Sequence, residues 1–99
     1  MLLVFSTFGK RREAENAAAR LVKGMLAACV NLLQVKSTYS WKGRIVKSGE
    51  FLLIAKCPEK NYKKIESELR RLNSYALPEI VAVKVAKGLP EYLAWVEKR

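Results

Sequence analysis

Two long extended segments joined by a two-residue turn constrain this chain more than anything else in it. Residues 27–41 (AACVNLLQVKSTYSW) form one extended run, Lys42-Gly43 marks a tight reversal, and residues 44–57 (RIVKSGEFLLIAKC) return as a second. Fifteen extended residues at about 3.3 Å each span roughly 50 Å. A globule of about 100 residues has a radius of gyration near 13 Å. The chain has 99 residues, so the hairpin either folds back at bulges or projects beyond its own domain. Gln34, where the apolar alternation changes register, is the position expected for a bulge. A projecting hairpin that carries Leu33, Val35, Tyr39, Trp41, Ile45 and Val46 leaves bare edges and apolar surface, which another chain must cover. We therefore expect a closed homo-oligomer built by strand pairing through this hairpin, with Tyr39, Trp41, Ile45 and Val46 at the interface.

The remaining elements follow from periodicity. Residues 2–8 (LLVFSTF) read as a buried first strand ended by Gly9, and not as a leader, because no charged n-region or cleavage site is present. Residues 10–24 read as a helix: Ala14, Ala17, Ala18, Leu21 and Val22, continued by Met25, fall on one stripe, and Gly24 is expected at the left-handed cap. Pro58 opens a second helix through Leu72, with Tyr62, Ile65, Leu69 and Leu72 inward. Residues 79–85 (EIVAVKV) form the last strand, and residues 90–97 a short terminal helix. The order β-α-β-β-α-β plus a helix predicts one α+β domain over 1–99: a ferredoxin-like antiparallel sheet with two helices on one face.

Composition removes whole classes of chemistry. The chain has no histidine, and all nine acidic residues are glutamate. That excludes a histidine-based triad, a histidine-ligated zinc centre and an EF-hand loop. Two cysteines, Cys29 and Cys57, are too few for a disulfide framework and sit in apolar stretches, as buried thiols of a cytoplasmic protein do. No apolar run approaches the roughly 20 residues of a membrane span. No nucleophile has an identifiable base beside it, and the Ser6–Arg12 segment lacks P-loop spacing, so the chain is not expected to be an enzyme.

The net charge of +10 invites nucleic acid. RNA-recognition domains of this topology stack bases on aromatics of a central strand, whereas the corresponding strand here reads EFLLIAK. The basic residues are spread over both helices, as on solvated faces, so specific nucleic-acid binding is not expected and weak anion attraction is. A small-ligand cleft is the other prospect. Cys29, Asn31, Ser37, Tyr39 and Trp41 share one parity, with Glu50 and Lys56 opposite. Asn31, Tyr39, Glu50 and Lys56 can line a polar pocket in an apolar setting, or serve as interface packing and hydrogen bonds.

Three blocks then stand out: LAACVN at 26–31, STYSWKG at 37–43, and YALPEI at 75–80 followed by GLPEYLAW at 88–95. Their order and spacing over the whole chain resemble the CutA, or divalent cation tolerance, family. The resemblance implies a ferredoxin-like homotrimer whose hairpins join sheets between neighbours, similar to PII signalling proteins. It implies metal ions, copper above all, as ligands, with no metal required for folding. Cys29 matches a family position and Glu79 lies in the Pro-Glu-Ile motif, so these two are the implied metal ligands, drawn from different subunits. A PII-like signalling or scaffold role without metal is the alternative. Where family members often carry a His-Pro pair, this chain has Asn73-Ser74, so an imidazole ligand is missing.

Overall fold

The computed structural model describes residues 1–99. Strand β1 (Leu2–Phe8) leads into helix α1 (Arg11–Lys23), then β2 (Cys29–Trp41), β3 (Arg44–Cys57), helix α2 (Tyr62–Leu72), β4 (Ile80–Lys84) and helix α3 (Pro90–Glu97). The four strands form one sheet of order β2-β3-β1-β4, with β1 and β3 central and every pairing antiparallel. This is the ferredoxin-like α+β plan expected from the element order.

Alternation along the strands decides which face is covered. Leu2, Val4, Ser6 and Phe8 of β1 are buried and pair with Cys57, Ala55, Leu53 and Phe51 of β3. Onto that face α1 lays Ala14, Ala17 and Leu21, and α2 lays Ile65 and Leu69, all fully buried. Alanines at 14 and 17 let α1 approach the sheet closely. Val22 and Met25, at the end of the α1 stripe, are exposed. On the face away from α1 and α2, Leu33, Val81 and Val83 stand about half exposed.

Two local expectations need correction. No bulge occurs at Gln34, because the β2–β3 register runs unbroken from Cys29↔Lys56 to Trp41↔Arg44. The unbroken ladder keeps every backbone pair that a bulge would disrupt. The left-handed position after α1 is Met25 (φ 60), not Gly24 (φ −79). The N–H of Leu26 donates to the Leu21 carbonyl and that of Met25 to the Val22 carbonyl, a Schellman closure that places the left-handed residue one step later. In addition, a 3₁₀ turn over Glu59–Asn61 precedes α2, so Pro58 stands ahead of the α-helix proper.

The hairpin projects. Pairing with β1 ends at Phe8↔Phe51, and beyond it Val35–Trp41 and Arg44–Glu50 continue as a two-stranded ribbon. The chain is accordingly elongated, 45 × 25 × 21 Å, with a Cα radius of gyration of 14.0 Å. At the tip, Lys42 (φ 51) and Gly43 (φ 76) both take positive φ, as a type I′ turn requires.

Candidate functional site

A cleft of about 620 Å³ runs along the ribbon from its root, where β2 and β3 leave the sheet, towards Trp41 near the tip. The ribbon contributes Ser37, Thr38, Tyr39, Trp41 and Glu50; β1 contributes Thr7; the segment before β4 contributes Tyr75, Ala76, Leu77 and Glu79. In the antiparallel register Tyr39 stands opposite Val46 and Trp41 opposite Arg44, so both rings lie on the side of the ribbon away from α1 and α2. Ile45 pairs with Ser40 and points to the other side.

The wall formed by residues 73–79 is tied down by named bonds. Asn73, only 7% exposed, donates from Nδ2 to the Thr7 carbonyl (2.9 Å) and accepts at Oδ1 from the Tyr75 N–H (3.0 Å). The Ser74 N–H donates to Glu13 Oε1 at 3.1 Å, which fixes the loop to α1. Tyr75 Oη donates to Glu50 Oε2 at 2.7 Å, closing the cleft floor between loop and ribbon. Burial first, then this hydrogen bond and the Glu50 charge, hold the Tyr75 phenol well above its ordinary pKa. Gly9 makes room for that ring, since a Cβ there would lie 2.8 Å from Tyr75 Oη. The constraint is steric and not conformational.

The sequence-derived residues divide into two groups. Tyr39, Trp41, Glu50 and Glu79 come together at the cleft. Cys29, Asn31 and Lys56 lie on the same sheet face but at its far end, with Cys29 opposite Lys56 and Asn31 opposite Ile54. Ten strand residues separate Cys29 from Tyr39, about 33 Å. Cys29 is on edge strand β2, whereas Glu79 precedes β4 at the opposite edge. One chain therefore cannot present both to one ion, and no three Cys or Glu side chains converge anywhere in it. The residue that sequence reasoning missed is Tyr75. Its Tyr-x-x-Pro-Glu-Ile context was visible, but only the fold shows that its hydroxyl reaches Glu50, 25 residues earlier. Asn73, noted only for the absent imidazole, proves to be the residue that shapes the loop.

Fold and cleft define a class: ferredoxin-like subunits with a projecting ribbon and a cleft at its root. Residues 2–99 match the family model of the CutA1 divalent ion tolerance protein, and the chain belongs to that family. A divalent-cation tolerance protein CutA of Thermotoga maritima is 38% identical over 98 residues, covering 99% of this chain and 97% of the relative. The solved structure of the periplasmic divalent cation tolerance protein CutA from Archaeoglobus fulgidus is similar at a TM-score of 0.92 and 35% identity, covering 97% of this chain and 95% of that one. The PII-like protein CutA from Nostoc sp. PCC 7120, solved in apo form, gives a TM-score of 0.92 at 31% identity, covering 99% of this chain and 95% of that one.

Proposed function

We propose that the chain works as a homotrimer in divalent-cation tolerance, and that the cleft at the ribbon root is its ligand site, completed by a neighbouring subunit. One observation carries this: the ribbon extends past the sheet with Trp41 48%, Tyr39 42% and Ile45 72% exposed. A lone two-stranded ribbon is at best marginally stable in water, and such apolar exposure calls for a covering chain. Val46 beside Tyr39 extends the same surface. Sedimentation at micromolar concentration should give three times the 11.2 kDa chain mass. Trp41→Ala should weaken association by about 2 kcal/mol. A monomeric wild type refutes the proposal.

For the bound species we take a metal ion, copper first, or a small ligand. The half-buried free thiol of Cys29 supports copper, because soft thiolates favour Cu(I). The residues of a single chain do not assemble a metal site, so donors from more than one subunit are needed. Copper titration of the tag-free, reduced trimer tests this: unchanged affinity and stoichiometry in Cys29→Ser removes Cys29 from the site. The cleft favours the PII-like alternative, in which a small ligand and not a metal is read.

A binding role, not catalysis, is our reading. It is supported at Cys57, where burial pushes the thiol up to about 11 and so makes it a poor nucleophile at neutral pH. Two free thiols support a cytoplasmic location, and no helix is long and apolar enough to cross a membrane. The basic residues of α1 and α2 support only salt-sensitive, non-specific attraction of anions such as nucleic acid.

A further inference from the structure

The ribbon divides its side chains between two faces. Val35, Tyr39, Trp41 and Val46 point away from α1 and α2. The other face carries Lys36 opposite Gly49 and Thr38 opposite Lys47, and continues the helix-covered face of the sheet beyond Phe51. Residues 34–49 hold four cations, Lys36, Lys42, Arg44 and Lys47, and no acidic residue. All four are exposed and none makes an ion pair. Lys36 and Lys47 share the helix-side face as diagonal neighbours across the ladder, where Cβ atoms stand about 7–8 Å apart. Arg11 lies over Phe51, the next β3 residue on that face after Gly49, with its guanidinium 5.0 Å from the ring. Glu50, the nearest acid along the strand, turns to the opposite face and is bonded to Tyr75. The repulsion between these cations is therefore not relieved on their own face by the ribbon itself.

Gly49 stands between them. A glycine inside a strand weakens it. Gly49 does not take a positive φ, no bulge interrupts the register around it, and a Cβ there would meet nothing within 4 Å. Neither backbone conformation nor crowding within the chain accounts for it. Close approach from outside, by a ligand or another backbone, is what remains for such a glycine. The groove around it is lined by Lys36, Ser37, Thr38, Lys47 and Ser48, with no apolar side chain. Two ammonium groups and a hydroxyl match a compact anion and not a neutral backbone. Ile45, the interface residue on this face, lies nearer the tip, whereas the groove is at the root.

We propose that the helix-side groove at the ribbon root binds a compact multivalent oxyanion, held by Lys36 and Lys47 over Gly49. Thr38 supplies a hydroxyl donor and Arg11 flanks the group. The glycine lets the anion approach the strand, as a side chain there would not. This is a second site, on the opposite face of the ribbon from the cleft, and it does not depend on what the cleft binds.

Calorimetric titration of inorganic diphosphate into the intact oligomer at low ionic strength tests this. We expect one diphosphate per chain, with acetate failing to compete. Lys36→Gln and Lys47→Gln should each weaken binding about 10-fold, the loss of one charge-assisted bond. Lys23→Gln and Lys64→Gln, which remove exposed helix cations that make no ion pair, should leave it unchanged. Gly49→Val should abolish binding with an equal or higher urea midpoint, because the fold has room for the Cβ and a β-branched residue suits a strand. No binding up to about 10 mM diphosphate overturns the proposal. So do equal losses in the ribbon and helix variants, which mark a diffuse field, and unchanged binding in Gly49→Val. An oligomer that dissociates in Gly49→Val, or in the two ribbon lysine variants, gives this face to a neighbouring subunit and overturns it too. If single-stranded DNA binds through Lys36 and Lys47 and diphosphate does not, the face is a nucleic-acid surface and the small-anion assignment fails. Loss of copper or small-ligand binding at the cleft leaves each of these results unaffected.

Discussion

Replacing Tyr75 by Phe keeps the ring and deletes one oxygen, the donor to Glu50 Oε2 at 2.7 Å. A hydrogen bond to a charged group contributes roughly 1.5–3 kcal/mol to stability. Tyr75 is 36% exposed and Glu50 8%, so water partly replaces the lost donor and the lower part of that range applies. We expect a loss of about 1.5–2 kcal/mol at pH 7, read by urea unfolding at fixed protein concentration with m unchanged. A second signature separates this bond from general loosening. The Tyr75 phenol titrates above its ordinary value near 10, so the fold favours its protonated form. That contribution is complete below about pH 10 and is lost as pH rises through the folded-state value. The stability gap between wild type and Tyr75→Phe should therefore narrow above pH 10. A loss below about 0.5 kcal/mol at pH 7, or a gap that stays constant into alkali, refutes the role given to this bond.

Three further perturbations test the fold around the site. Cys57, fully buried with its thiol raised from 9.0 to about 11, should cost the wild type about 2 kcal/mol of stability between pH 9 and pH 11. Unfolding of Cys57→Ala across that range should lack this component, and parallel curves for the two proteins would contradict it. Met25→Gly relieves a left-handed residue at the α1 closure and should raise stability by about 0.5–1 kcal/mol, visible as a higher urea midpoint. Asn73→Ala removes both the bond to the Thr7 carbonyl and the one from the Tyr75 N–H, for a loss of about 2 kcal/mol. Asn73→Asp keeps the acceptor but turns a carboxylate oxygen towards the Thr7 carbonyl at a buried position, and should cost at least as much as Asn73→Ala; equal stability of all three would remove Asn73 as the loop's anchor.

Element order, strand faces and the projecting hairpin were legible in the sequence, because each rests on a local period. Alternation in LLVFSTF assigns Leu2, Val4 and Phe8 to one face, and the 3.6-residue stripe assigns Ile65 and Leu69 to another, whatever else the chain does. The projection followed from strand length against domain size. Absence of histidine set the chemical limits before any fold was known. The cleft was only half legible. Parity placed Tyr39 and Trp41 together with Glu50, but it placed Asn31 and Lys56 with them too, because parity identifies a face and not a position along it. Tertiary structure decided the rest. The bonds from Asn73 to Thr7, 66 residues away, and from Tyr75 to Glu50 bring the 73–79 loop against the ribbon. No period of the sequence encodes such contacts, since they depend on how separate elements pack. The same packing buried Glu50 with a phenol and not a cation as its partner, a fact about the three-dimensional distribution of charge that a net count of +10 conceals.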